Sequence, residues 1–133
     1  MGRVIEEYEF EPRIILSSPA VRARETARLV KEAADLDPEI KYNERIYEAS
    51  PRTLLQIAAS LDDRFESAMI VGHNPGMEGF VRLVTGRLEA MATASLAVID
   101  LDVLGWDQLG DGAGKLRRII RPKDEMKALR NGN

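Results

Sequence analysis

Ile70-Val71-Gly72-His73-Asn74-Pro75-Gly76-Met77 reads as the end of a strand, a sharp turn and the start of a helix. Ala68 to Val71 is a short apolar run without a helical stripe, as expected for a strand covered on both faces. Gly72 ends it. Asn74 can accept from orphan amides, and proline at a first helical position gives up a donor that had no partner. The spacing predicts a helix from Pro75 to Thr85, stopped by Gly86. His73, the chain's one histidine, then sits where a strand's carboxyl end meets a helix amino terminus. Open α/β sheets bind ligands at that place, and free amides there favour an anion. The plainer alternative is a turn histidine bonded to a neighbouring carbonyl.

Two earlier segments repeat the pattern. Arg13 to Ser17 is β-branched and apolar, and Ser18-Pro19 is expected to cap a helix running to Ala34 with the stripe Val21, Ala23, Ala27, Val30 and Ala34. Ile40 to Ile46 can supply an edge strand, and Ser50-Pro51 opens a helix to Leu61 with Leu54, Leu55, Ile57, Ala58 and Leu61 facing the core. Three passages from extended chain through cap and proline into helix predict an α/β fold with a mostly parallel sheet flanked by helices. Beyond Gly86, Ser95 to Leu101 and Leu116 to Ile120 flank a glycine-rich connection and suggest an antiparallel hairpin at one side of that sheet. Trp106 is expected to pack at this loop. Residues 1–11 resemble the later part of an amphipathic helix, and Lys123 to Asn133 a polar tail.

The 133 residues suit a single domain, and the net charge of −3 gives no basic excess for nucleic acid or an anionic membrane. Without cysteine and with one histidine, thiolate catalysis, zinc-thiolate sites and histidine metal clusters are excluded, so neither metal nor other cofactor is expected. No segment is apolar for long enough to span a bilayer, and the amino terminus lacks a signal-peptide core, which together suggest a cytoplasmic protein.

Parallel strands would bring Arg22 and His73, each a few residues beyond a strand, to one edge of the sheet. Arg22 lies one turn into its helix and can fold back toward the strand end. Arg24 and Arg28 read as solvated helix surface. A guanidinium fork, an imidazole and helix amino ends make a phosphate clamp, suited to phosphoryl chemistry in which charge spreads over three oxygens.

Ser17-Ser18-Pro19-Ala20-Val21-Arg22-Ala23-Arg24-Glu25-Thr26-Ala27 and Val71-Gly72-His73-Asn74-Pro75-Gly76 resemble two signature segments of the histidine phosphatase (phosphoglycerate-mutase-like) superfamily. Tyr47-Glu48-Ala49-Ser50-Pro51 and Arg121-Pro122-Lys123 fit its small phosphohistidine phosphatase branch. The resemblance implies a metal-independent hydrolase in which a histidine near the amino terminus attacks phosphorus and water later frees phosphate. It matches Arg22 to the second phosphate-binding arginine and His73 to the second histidine. Glu48 lies near a proton-donating acid of several members, though a loop carboxylate is as good a reading. Asn74 belongs to the motif, where its helix-cap role is sufficient.

The departure is at the amino terminus. The family's opening strand ends Leu-Arg-His-Gly or Leu-Arg-His-Ala, and neither segment occurs, so residues 1–133 read as a single, amino-terminally truncated domain whose first strand and nucleophile are missing. The sheet would close up locally, or a second chain would supply a strand in a homodimer through strand exchange. Three functions remain open. One is a phosphatase acting on a phosphorylated protein or small phosphomonoester. Another is a pseudoenzyme that binds such a partner without turnover. The third makes His73 itself the nucleophile.

Overall fold

The computed structural model describes residues 12–91, 96–101 and 103–120; the readings of residues 1–11 and of the tail from Arg121 lie outside them. Strand β1 (Ile14–Ser17) leads into helix α1 (Val21–Ala34) and edge strand β2 (Ile40–Tyr42). Helix α2 (Pro51–Ala59), strand β3 (Ala68–Val71), helix α3 (Gly76–Thr85) and strands β4 (Leu96–Leu101) and β5 (Gly114–Ile120) follow. Short 3₁₀ turns occupy Glu44–Ile46 and Trp106–Gln108.

The expected α/β fold with a parallel sheet is present. Strands lie in the order β2-β1-β3, and both β2 and β3 run parallel to β1, with Ser17 opposite Tyr42 on one side and Val71 on the other. The four residues of β1 are buried, as a central strand covered on both faces requires, and Ile15 is wholly inaccessible. β3 is less covered: Met69 and Val71 are buried, Ala68 and Ile70 only partly.

Each helix obeys its local chemistry with small departures. The Ser50 hydroxyl accepts from the Thr53 amide at 3.2 Å and Pro51 occupies the first turn of α2, as the cap-and-proline signal predicts. Leu54, Ile57 and Ala58 are buried in the core beside Ile14, Leu16, Ile46, Phe80 and Val84, with Leu55 and Leu61 packed at its margin. α3 ends at Gly86 with φ 75°, a left-handed position that glycine adopts without steric cost.

Four details differ from the sequence reading. α1 begins at Val21 with Ala20 as its N-cap and without a side-chain cap, because Ser18 lies too far upstream to reach its first amides. Val21 consequently faces out at 69% exposure, and the buried stripe is Ala23, Ala27, Val30 and Ala34. β2 stops at Tyr42, and Ile46 is buried instead from a 3₁₀ turn. Finally, β4 and β5 pair antiparallel as their own two-stranded sheet, which is not hydrogen-bonded to the parallel sheet among the described residues. The hairpin joins the core by side chains, Ile99 and Leu101 packing against it. Trp106 pins its connection: the indole Nε1 donates to the Phe65 carbonyl at 2.8 Å, and the backbone N–H donates to Asp63 Oδ1 at 2.9 Å.

α2 and α3 approach closely, and two glycines permit it. A Cβ on Gly76 would lie 2.2 Å from the Ala49 carbonyl oxygen, and one on Gly79 would lie 2.4 Å from Pro51 Cγ. The absence of side chains at these two positions seats the Ala49 to Pro51 turn on α3. No helix of the described residues is long and apolar enough to cross a membrane.

Candidate functional site at the carboxyl edge of the parallel sheet

Because β1 and β3 are parallel and Ser17 stands opposite Val71, their carboxyl ends reach the same edge together. The backbone continues this ladder one residue further, the Ser18 N–H donating to the Val71 carbonyl at 2.9 Å. Ser17 and Ser18 are both inaccessible to solvent, and the Ser17 hydroxyl donates to the Ser18 carbonyl at 2.8 Å. Polar side chains so deeply placed need partners. Ser18 finds one across the gap between strands: its Oγ lies 2.8 Å from His73 Nε2.

His73 lies two residues beyond β3 and three before α3, the position its sequence context predicts. Its carbonyl accepts the Met77 N–H at 2.9 Å and so joins the first turn of α3. The half-buried imidazole is flanked by Tyr47, whose ring meets it edge-on with centroids 5.6 Å apart and planes at 85°. The alternative of a turn histidine bonded to a neighbouring carbonyl is not what forms here: the ring's partner is a buried hydroxyl 55 residues away.

Arg22 stands on the first turn of α1, at the same edge of the sheet as His73, with its side chain exposed and making no hydrogen bond or ion pair with another described residue. Arg24 is exposed, as expected of helix surface, and lies over the Tyr42 ring at 5.3 Å, a cation–π contact. Arg28 is exposed. Glu48 is exposed too, with a left-handed backbone at φ 50° between Tyr47 and Ala49. Asn74 uses its side chain locally. Its Oδ1 accepts the Glu78 N–H at 3.3 Å and its Nδ2 donates to the Met91 carbonyl, while Glu78 Oε1 accepts the Met91 N–H at 2.9 Å. The cap role expected of Asn74 is thus realised one position upstream of where it was placed, Pro75 being the N-cap residue.

Sequence reasoning brought Arg22 and His73 to one edge but missed Ser18 and Tyr47, which touch the imidazole. Tyr47 stood in a quoted motif without a role, and Ser18 was assigned to a helix end. No group of three or more His, Cys, Asp or Glu side chains able to hold a metal ion occurs among the described residues.

The chain matches no protein-family model. One curated relative, the uncharacterized protein ML1117 of Mycobacterium leprae, is 31% identical over 72 residues, which span 54% of this chain and 42% of that protein. Solved structures match far more of it. A protein assigned as the phosphohistidine phosphatase SixA of Agrobacterium tumefaciens superposes with TM-score 0.75 at 26% identity, covering 91% of this chain and 75% of the other. One so assigned from Nakamurella multipartitia gives TM-score 0.75 at 18% identity over 91% and 77%. The protein histidine phosphatase SixA complexed with tungstate gives 0.77 at 17% over 93% and 78%. The chain thus has the fold of the SixA phosphohistidine phosphatases, which belong to the histidine phosphatase superfamily.

Proposed function

We propose that this domain binds a phosphoryl group between Arg22 and His73, as a protein of the phosphohistidine or phosphomonoester phosphatase type. The observation that carries the reading is the seating of His73. A fully buried serine holds its ring at the carboxyl edge of a parallel sheet, at the start of α3 and at the same edge as α1, whose first turn carries Arg22. An imidazole fixed by one nitrogen has the other to offer an oxyanion, and an exposed guanidinium supplies a planar fork of donors. The tetrahedral oxyanion tungstate in the complex of a similar fold supports the same ligand chemistry.

Turnover requires a nucleophile, and the 133 residues contain one histidine. That favours a second reading for this stretch of chain, in which the clamp holds a phosphorylated protein or small phosphomonoester without hydrolysing it. The two are separated by phosphate release from a phosphohistidine peptide and an aryl phosphate, with His73→Ala as control. Release that disappears in His73→Ala supports the phosphatase. Tungstate binding without release supports the binding protein. Neither release nor binding would refute the clamp.

A further inference from the structure

From the hydrogen bonds around Ser18 we infer that this residue is a positioning residue that fixes His73 as the Nδ1–H tautomer. It thereby turns the neutral imidazole into a hydrogen-bond donor toward the ligand. A serine hydroxyl has one hydrogen and two acceptor lone pairs. One lone pair of Ser18 Oγ is taken by the Ala20 N–H at 3.2 Å. His73 Nε2 lies on the same oxygen at 2.8 Å. Were Nε2 to carry the proton, the oxygen would accept twice, and the hydroxyl hydrogen would be left inside a site with 0% exposure. No other acceptor for it exists among the described residues. Buried polar hydrogens are not left in that state when an alternative exists. The alternative is that Ser18 O–H donates to Nε2, which forces the ring proton onto Nδ1.

The arrangement is rigid at both ends. Ser18 is tied by its own N–H to Val71 and by its side chain to Ala20, and Tyr47 packs edge-on against the imidazole. Nδ1 makes no hydrogen bond with another described residue, so the nitrogen that carries the proton is the one left for a ligand. A free histidine side chain prefers the opposite tautomer. Ser18 therefore selects a minor form and makes it a donor to phosphate oxygens without requiring an imidazolium. The tautomer follows from the hydrogen bonds alone; its use in anion binding rests on the phosphate reading above.

With one histidine in the chain, nitrogen-15 labelling of histidine reports this ring without assignment. At about pH 8, where an ordinary imidazole is neutral, the expected spectrum shows a protonated, pyrrole-type Nδ1 and an unprotonated Nε2. Ser18→Ala, judged folded by its amide spectrum, is expected to revert toward Nε2–H and to bind tungstate about fivefold more weakly, the scale of one net hydrogen bond. An Nε2–H ring in the unmodified protein overturns the inference, and that spectrum requires no variant. An unchanged tautomer in folded Ser18→Ala overturns it as well. If the tautomer is as expected in both proteins but tungstate leaves the ring signals unmoved, the lock stands and the phosphate clamp falls.

Discussion

Glu48 adopts φ 50°, a region where a residue with a Cβ costs about 1 kcal/mol relative to glycine. The reversal it makes is what lets Tyr47 lie against His73 while the Ala49 carbonyl rests on Gly76. Its carboxylate and its backbone are therefore separate contributions, and two substitutions divide them. Glu48→Gly removes the carboxylate and relieves the left-handed strain, so its stability should equal or exceed the parent's by up to about 1 kcal/mol in urea unfolding. Glu48→Ala removes the carboxylate and retains the strain. If the carboxylate serves as a proton donor, both variants lose phosphate release alike. If only the turn matters to the site, Glu48→Gly keeps tungstate affinity within about twofold of the parent.

Helix α3 depends on contacts that its own sequence pattern only half discloses. Gly86 reads as punctuation and is that, whereas Gly76, which the sequence pattern leaves without a role, is a packing residue: a Cβ there would overlap the Ala49 carbonyl. Gly76→Ala should lower stability by about 2 kcal/mol or more in chemical unfolding, as overpacking against backbone does. It should also weaken tungstate binding, since Ala49 is two residues from Tyr47 and the ring contact to His73 shifts with it. The strand–turn–helix order was legible because proline, glycine and caps act within four residues of themselves. Ser18 was misread for the same reason. Ahead of Pro19 it carries the signature of an N-cap, yet the hydroxyl is used two residues on at Ala20 and 55 residues away at His73. Pairing across the chain leaves no local trace. Nor does the separation, among the described residues, of the β4-β5 hairpin from the parallel sheet, which alternation along either strand could not announce.

For the molecule as a whole, binding at the clamp couples to folding, because Arg22 and His73 follow β1 and β3, strands joined only in the native sheet. An anion that binds the folded chain alone raises its stability by about 2.7 kcal/mol at a hundredfold excess over its dissociation constant. For 133 residues this corresponds to a rise in Tm of roughly 10 °C. Tungstate should produce that rise in the parent and in Arg28→Ala, whose side chain belongs to the outer surface of α1. Arg22→Ala should lose about half of it or more, since a charge-assisted hydrogen bond contributes about 1.5–3 kcal/mol and its loss weakens binding tenfold or more. His73→Ala should behave similarly. A chelator should leave every one of these shifts unchanged if the ligand is held by arginine, imidazole and amides alone. Equal shifts in Arg22→Ala, His73→Ala and Arg28→Ala would mean that the anion binds elsewhere, and that the edge shared by β1 and β3 is a structural junction rather than a phosphate site.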